Sequence, residues 1–369
     1  RSSNVIMAKN NELDMLNGAL LPKILMFSLP LALTGILQLL FNAADVIVVG
    51  KFAGSTSLAA VGATSALVNL LTGAFIGISV GVNILVARYA GCRDDARVER
   101  AVHSAIALSL VLGVVTFLLG FFLSTPMLEW MDTPDDVLAL ASLYLRIYFI
   151  GIPGALIYNF AAAILRAYGD TKRPLIFLAI SGVLNVFLNL FFVIVCELDV
   201  AGVAIATVVS QYVAVVLILI CLVRQEGPAK LKLREIRLHP DEALRMIQIG
   251  LPAGLQSVVF NISNVMVQSC VNSFGADVIA ANTAATNIAA FTYTAMNSVF
   301  HASITFTSQN LGAQRYDRVM KIFWACQATV LLIGIPLCIL STVFGPQLLS
   351  IYVSANDPAY DSVIAMGLI

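Results

Sequence analysis

The sequence predicts an all-α integral membrane protein built as two similar halves, and three observations predict it. Of its 369 residues, 59% are hydrophobic and only 11% charged, against roughly 25% charged in a soluble domain. The apolar residues gather into runs long enough to cross a bilayer, which takes about 20 residues. The motifs of the first half then return, in order, in the second.

Spans are expected near 23–50, 56–87, 101–125, 138–166, 174–196, 201–223, 245–273, 279–309 and 320–345, with a tenth starting around 359. Several exceed the bilayer thickness and should tilt or project into water. On this topology all of the 21 Lys and Arg except Lys51 and Arg146 fall on one side. The other side carries Glu129, Asp132, Asp135, Asp136, Glu197, Asp199, Asp277, Asp357 and Asp361. By the positive-inside rule the basic side, with the N-terminus, is cytoplasmic. The polar segment Arg1–Asn17 lacks an apolar core, so no cleaved signal peptide is expected.

The repeat is specific. Ser28-Leu29-Pro30 matches Gly250-Leu251-Pro252, and Leu58–Ala63 matches Val278–Thr283. Gly91-Cys92-Arg93 with Arg97-Val98 matches Gly312-Ala313-Gln314 with Arg318-Val319. The division is residues 1–226 (spans one to six), a linker at 227–240 with Gly227, Pro228 and several basic residues, and 241–369. Halves that start on the same side form a parallel repeat, related by a pseudo-two-fold axis along the membrane normal. That arrangement suits two bundles rocking about a central cavity. By the repeat the second half should also hold six spans, and the sequence ends inside its fourth, so it reads as a truncated product.

The polar residues inside the apolar runs are the candidate site. Asp45 is the one acidic residue within such a run, and a charged carboxylate there costs about 2.5–3.5 kcal/mol on insertion scales. Burial works against the charged form, which suits a proton carrier that is neutral when occluded and ionised when hydrated. The structural alternative is a helix cap, or a pair with Lys51. Asn185 and Asn189, four apart, share one helical face. With Asp45 and Thr207 they offer a hydrogen-bonded network or an oxygen cage for a small cation such as Na⁺; interhelical bonding alone is the other reading. The second half carries Gln256, Asn264, Gln268, Asn272, Asn282 and His301 and no matching carboxylate. His301 is either a proton carrier or a buried imidazole with its bonds satisfied. Phe41 and Tyr148 are among the aromatics suited to an organic cation, and otherwise to core or lipid contact. Gly73, Gly77 and Gly81 form a close-packing stripe.

Other classes are disfavoured. No phosphate loop, His-Glu-x-x-His or nucleophile elbow occurs, so neither ATP-driven pumping nor an enzyme activity is expected, and no cofactor is implied. Zero net charge gives no sign of a nucleic-acid partner. The six cysteines form neither a disulfide framework nor a zinc site.

Pro30, Gln38 and Asp45 in span one, and Arg166-Ala167-Tyr168-Gly169-Asp170-Thr171-Lys172-Arg173-Pro174 after span four, resemble the multidrug and toxic compound extrusion (MATE) family, in its bacterial DinF-like branch. Asn185, Asn189 and Thr207 fall where some relatives carry Asn, Asp and Thr of a cation site. The resemblance implies twelve helices in two lobes, alternating access, and export of organic cations or other drug-like substrates against inward H⁺ or Na⁺. It also implies a multi-pass protein of the bacterial inner membrane, in contact with lipid and acting as a monomer. Gln38, Phe41, Tyr148, Gln256, Asn264, Asn282 and His301 are the candidate substrate-cavity residues. The departures are Asn189 in place of Asp, and Phe260 where another branch carries Glu; they favour H⁺ centred on Asp45. The competing readings are a flippase for a lipid-linked precursor, which would want Arg or Lys in its cavity, and a channel or structural membrane protein.

Overall fold

The computed structural model describes residues 12–368 apart from 54, 131–132, 134, 273–275 and 351–359. Most of Arg1–Asn17, Asp132, Asp357 and the side chains of Gln268 and Asn272 lie outside the described residues. The regular elements among the described residues are all helical, with no strand. Nine long helices follow in order: α1 Leu20–Val48, α2 Ser55–Cys92, α3 Asp95–Trp130, α4 Asp135–Ala167, α5 Lys172–Leu190, α6 Asp199–Arg224, α7 Pro240–Asn272, α8 Ala276–Gly312 and α9 Tyr316–Val343. The short α10 Gly345–Leu349 and α11 Tyr360–Gly367 close the chain. Single π-helical turns extend α1 (Val49–Ala53) and α5 (Phe191–Val195). Each predicted span therefore has a helix, and several start or end a polar turn beyond the apolar run, as at Asp95 on α3 and Pro240 on α7.

Eight of these helices are long and apolar enough to cross a membrane. The ninth, α8, has 37 residues but is more polar, carrying Asn282, Thr286, Asn287, Asn297 and His301 among others. Large apolar side chains face outward along the long helices, as on α3 at Val111, Val114, Leu118 and Phe122. A bilayer provides the apolar surroundings that they need.

Small residues decide which helices touch. A Cβ added at Gly77 would lie 2.2 Å from the Gly254 backbone, and one at Gly81 2.2 Å from the Met246 carbonyl. Bare backbones thus let α2 and α7 cross in contact, as small residues do between membrane helices. Gly73 is looser, 3.3 Å from the Asn261 amide. At the basic end the contact is reciprocal. A Cβ on Gly91 would sit 2.1 Å from the Gln309 carbonyl, and one on Gly312 2.1 Å from the Arg88 carbonyl. Just beyond, Arg93 and Gln314 both take φ +57°. Packing is cross-matched in the same way, α2 against α7 and α8 against α1.

The 227–240 segment is polar in composition yet anchored. Ala229 and Leu231 are buried in the core formed by α2, α3, α4 and α6, while Lys230 and Lys232 between and after them are exposed. Its 3₁₀ turn, Leu233–Glu235, leads into α7.

Candidate functional site

Three helices each turn one face toward the same space, at spacings of three, four and seven residues. They are Gln38, Phe41, Asn42 and Asp45 on α1; Leu178, Ser181, Gly182 and Asn185 on α5; and Thr207, Ser210, Gln211 and Ala214 on α6. Such positions share one stripe of a helix. Tyr148 and Tyr158 on α4, with Thr72 and Phe75 on α2, complete a cavity of about 360 Å³. Phe41 forms part of its wall because Gly182 has no side chain: a Cβ there would overlap the Phe41 ring.

The polar groups are joined in a chain. Thr207 Oγ1 donates to the Val203 carbonyl at 3.0 Å and accepts from Asn185 Nδ2 at 3.4 Å. Asn185 Oδ1 accepts from Asn189 Nδ2 at 3.2 Å, and the same Asn189 Nδ2 donates to Asp45 Oδ1. Asp45 is half-buried and Asn189 fully buried. Two buried acceptors, Asn189 Oδ1 and Gln211 Oε1, have no hydrogen-bond partner among the described residues. A buried acceptor without a donor costs about 1–3 kcal/mol, so this cluster is short of donors and would welcome a proton or a cation. Asp45 makes no ion pair among the described residues, with Lys51 or any other cation.

The structure therefore brings Asp45, Asn185, Asn189 and Thr207 together, with Gln38, Phe41 and Tyr148 around the same cavity. Gln256 and Asn264 lie exposed on α7, and Asn282 and His301 half-buried on α8; none of the four lines it. They are carried by helices of the second half, whereas the cavity is enclosed by helices of the first. Sequence reasoning missed Asn42, Ser181, Ser210 and Gln211. Their signal was available: each stands three or four residues from a residue already singled out. Arg146 is occupied elsewhere, its Nη2 3.1 Å from Thr125 Oγ1 and its guanidinium over the Phe121 ring.

Several known proteins are similar along most of the chain. A probable multidrug resistance protein, YpnP of Bacillus subtilis (strain 168), is 29% identical over 346 residues, covering 93% of this chain and 77% of the relative. Another from that strain, YoeA, is 27% identical over 342 residues, covering 91% and 74%. An FAD transporter of Shewanella oneidensis is 24% identical over 343 residues, with the same coverage. Among solved structures, the outward-facing conformation of a multidrug resistance MATE family transporter superposes with a TM-score of 0.89 at 23% identity, over 96% of this chain and 79% of that one. The MatE family model matches residues 30–191 and 252–367, two segments whose first residues, Pro30 and Pro252, are the matched prolines of the repeat. With most of its length under that model, the chain belongs to the MatE family.

Proposed function

We propose that the protein is a secondary active efflux transporter that exports organic, drug-like cations in exchange for inward H⁺, or Na⁺, by alternating access. The observation that carries this reading is Asp45: a carboxylate without a cationic partner among the described residues, held by Asn189, on the wall of a cavity with aromatic sides. An amphiphilic cation fits such a space through the carboxylate and the faces of Phe41, Phe75, Tyr148 and Tyr158. Competition between that cation and a proton for one carboxylate couples their opposite movements. The site's oxygens, from Asp45, Asn185, Asn189 and Thr207, are also hard donors of the kind that suits Na⁺. The names of the B. subtilis relatives point the same way.

Alternating access draws support from the paired contacts Gly91–Gln309 and Gly312–Arg88, as expected of two bundles meeting about an axis along the membrane normal. In this reading the basic end is cytoplasmic, residues 1–226 and 241–369 form the moving bundles, and the first holds the coupling site. A lipid-linked anionic substrate is less well served, because none of the residues lining the cavity is Lys or Arg.

The test is ethidium export from vesicles driven by an imposed pH gradient. Asp45→Asn should abolish it; undiminished export by that variant refutes the assignment of Asp45. Repeating the assay with and without Na⁺ at fixed pH identifies the coupling ion.

A further inference from the structure

We propose that the pocket between the start of α3 and the 227–240 segment binds the phosphate of an anionic membrane lipid. The pocket has a volume of about 480 Å³ and is lined by Arg100, Arg234, Arg237, Glu99, His103 and His239, among others. Lys232 Nζ donates to both carboxylates, at 2.5 Å to Glu99 Oε1 and 3.2 Å to Glu235 Oε2. One lysine thus holds two carboxylates, and Arg100, Arg234, Arg237 and Lys232 against Glu99 and Glu235 leave the group with an excess of two positive charges.

None of the three guanidiniums is bonded to either carboxylate. Arg237 Nε donates only to a neutral acceptor, His239 Nε2, at 3.0 Å. The Arg100 and Arg234 side chains are exposed and make no hydrogen bond or ion pair with any described residue. The imidazoles compete for no anion either. His103 Nδ1 lies 2.7 Å from the Glu99 carbonyl, and its Nε2 accepts the Lys232 N–H at 3.1 Å. His239 Nδ1 lies 2.9 Å from Ser104 Oγ. Three guanidiniums thus surround a space with a net positive excess and no ion pair of their own among the described residues, and guanidinium forks match the oxygens of a phosphate.

Two features select a lipid over a soluble phosphate. On α3, Val111, Val114 and Leu118 stand 11, 14 and 18 residues after Arg100, close to whole turns at 3.6 residues each. They are exposed and apolar, and although residues 101–109 between them and Arg100 are buried in the fold, they offer acyl chains an apolar surface deeper in the membrane on the same side of α3. On the other wall, Leu233 and Leu238 flank the arginines and are 61% and 43% exposed. An apolar side chain next to a basic one is the pattern of a segment lying at the headgroup level, where basic pockets hold anionic lipid headgroups. A lipid seated here would bridge α3 and the segment that joins the two halves.

The test is native mass spectrometry of the purified protein after exchange into mixed micelles containing phosphatidylglycerol or phosphatidylcholine. The unaltered chain should retain phosphatidylglycerol in preference, saturating at one molecule. Arg100→Gln/Arg234→Gln, which removes no side-chain bond of the fold, should lower that retention about 30-fold. Arg93→Gln/Lys321→Gln, an equal loss of charge elsewhere at the basic end, should leave it unchanged. Equal losses in the two variants would overturn the site in favour of a diffuse basic surface. Displacement of the lipid by millimolar inorganic phosphate, or absence of a preference over phosphatidylcholine, would overturn the lipid assignment.

Discussion

The reciprocal glycine contact at the basic end can be tested by adding two methyl groups. In Gly91→Ala/Gly312→Ala each new Cβ would stand 2.1 Å from a carbonyl oxygen of the facing helix. Ordinary contact needs about 3.4 Å, so each side must give by roughly 1 Å, and the obstacle is backbone that cannot rotate away. Overpacking costs about 1–3 kcal/mol per site, and the gain in helix propensity from Gly to Ala is common to the closed and open states and cancels between them. The pair should therefore destabilise the closed contact by about 2–6 kcal/mol, a shift of at least about 30-fold in a closed-to-open equilibrium. Nitroxide labels at Ala96 and Asp317, both exposed beyond the contact, would report it by pulsed electron resonance in a cysteine-free background. The expected result is a second, longer distance whose population rises in the double variant and less in each single one. Distance distributions identical to the parent's would refute the idea that this contact holds the basic end shut.

Two further outcomes follow from the site and the linking segment. Asn189→Asp places a second carboxylate beside Asp45 and should make export Na⁺-dependent, because adjacent carboxylates hold a cation more tightly than one; transport rates with and without Na⁺ at fixed pH check this. At the segment before α7, burial holds the His239 imidazole below its ordinary range, with the Arg237 and Arg100 charges adding to the effect, His103 adding slightly and Glu242 opposing. The released segment then takes up the proton more readily than the docked one, so docking is at full strength above about pH 6.5 and weakens as pH falls below it. Hydrogen exchange over residues 228–239 should accelerate on acidification through that range, and His239→Gln should flatten the dependence.

Much of the site was legible because membrane burial makes polar residues conspicuous. Asp45 stood out as a lone carboxylate in an apolar run, and Asn185 and Asn189 as a pair one turn apart. Gln211 and Ser181 were harder to see, since amides and hydroxyls occur throughout such helices and only the shared stripe marks them. The amides of α7 and α8 show the limit of that reasoning. Gln256, Asn264, Asn282 and His301 look no less functional in sequence than Asn185 does, yet they line no part of the Asp45 cavity. The linking segment also differed from its composition: the alternation Ala229, Lys230, Leu231, Lys232 buries every second side chain and pins a stretch that reads as a plain linker.

The helices, their ends to within about six residues, the repeat and the residues worth asking about can all be read from the sequence. These follow from local facts: a bilayer requires backbone bonds to be satisfied within each segment, and charge sorts the loops. Tertiary structure alone decided which helix faces meet. Whether Asn189 reaches Asp45 across 144 positions depends on how α1 and α5 cross. Crossings in turn are set by where bare glycine backbone lets one helix settle against another, as at Gly77 and Gly81 on α2 and at Gly182 beneath Phe41.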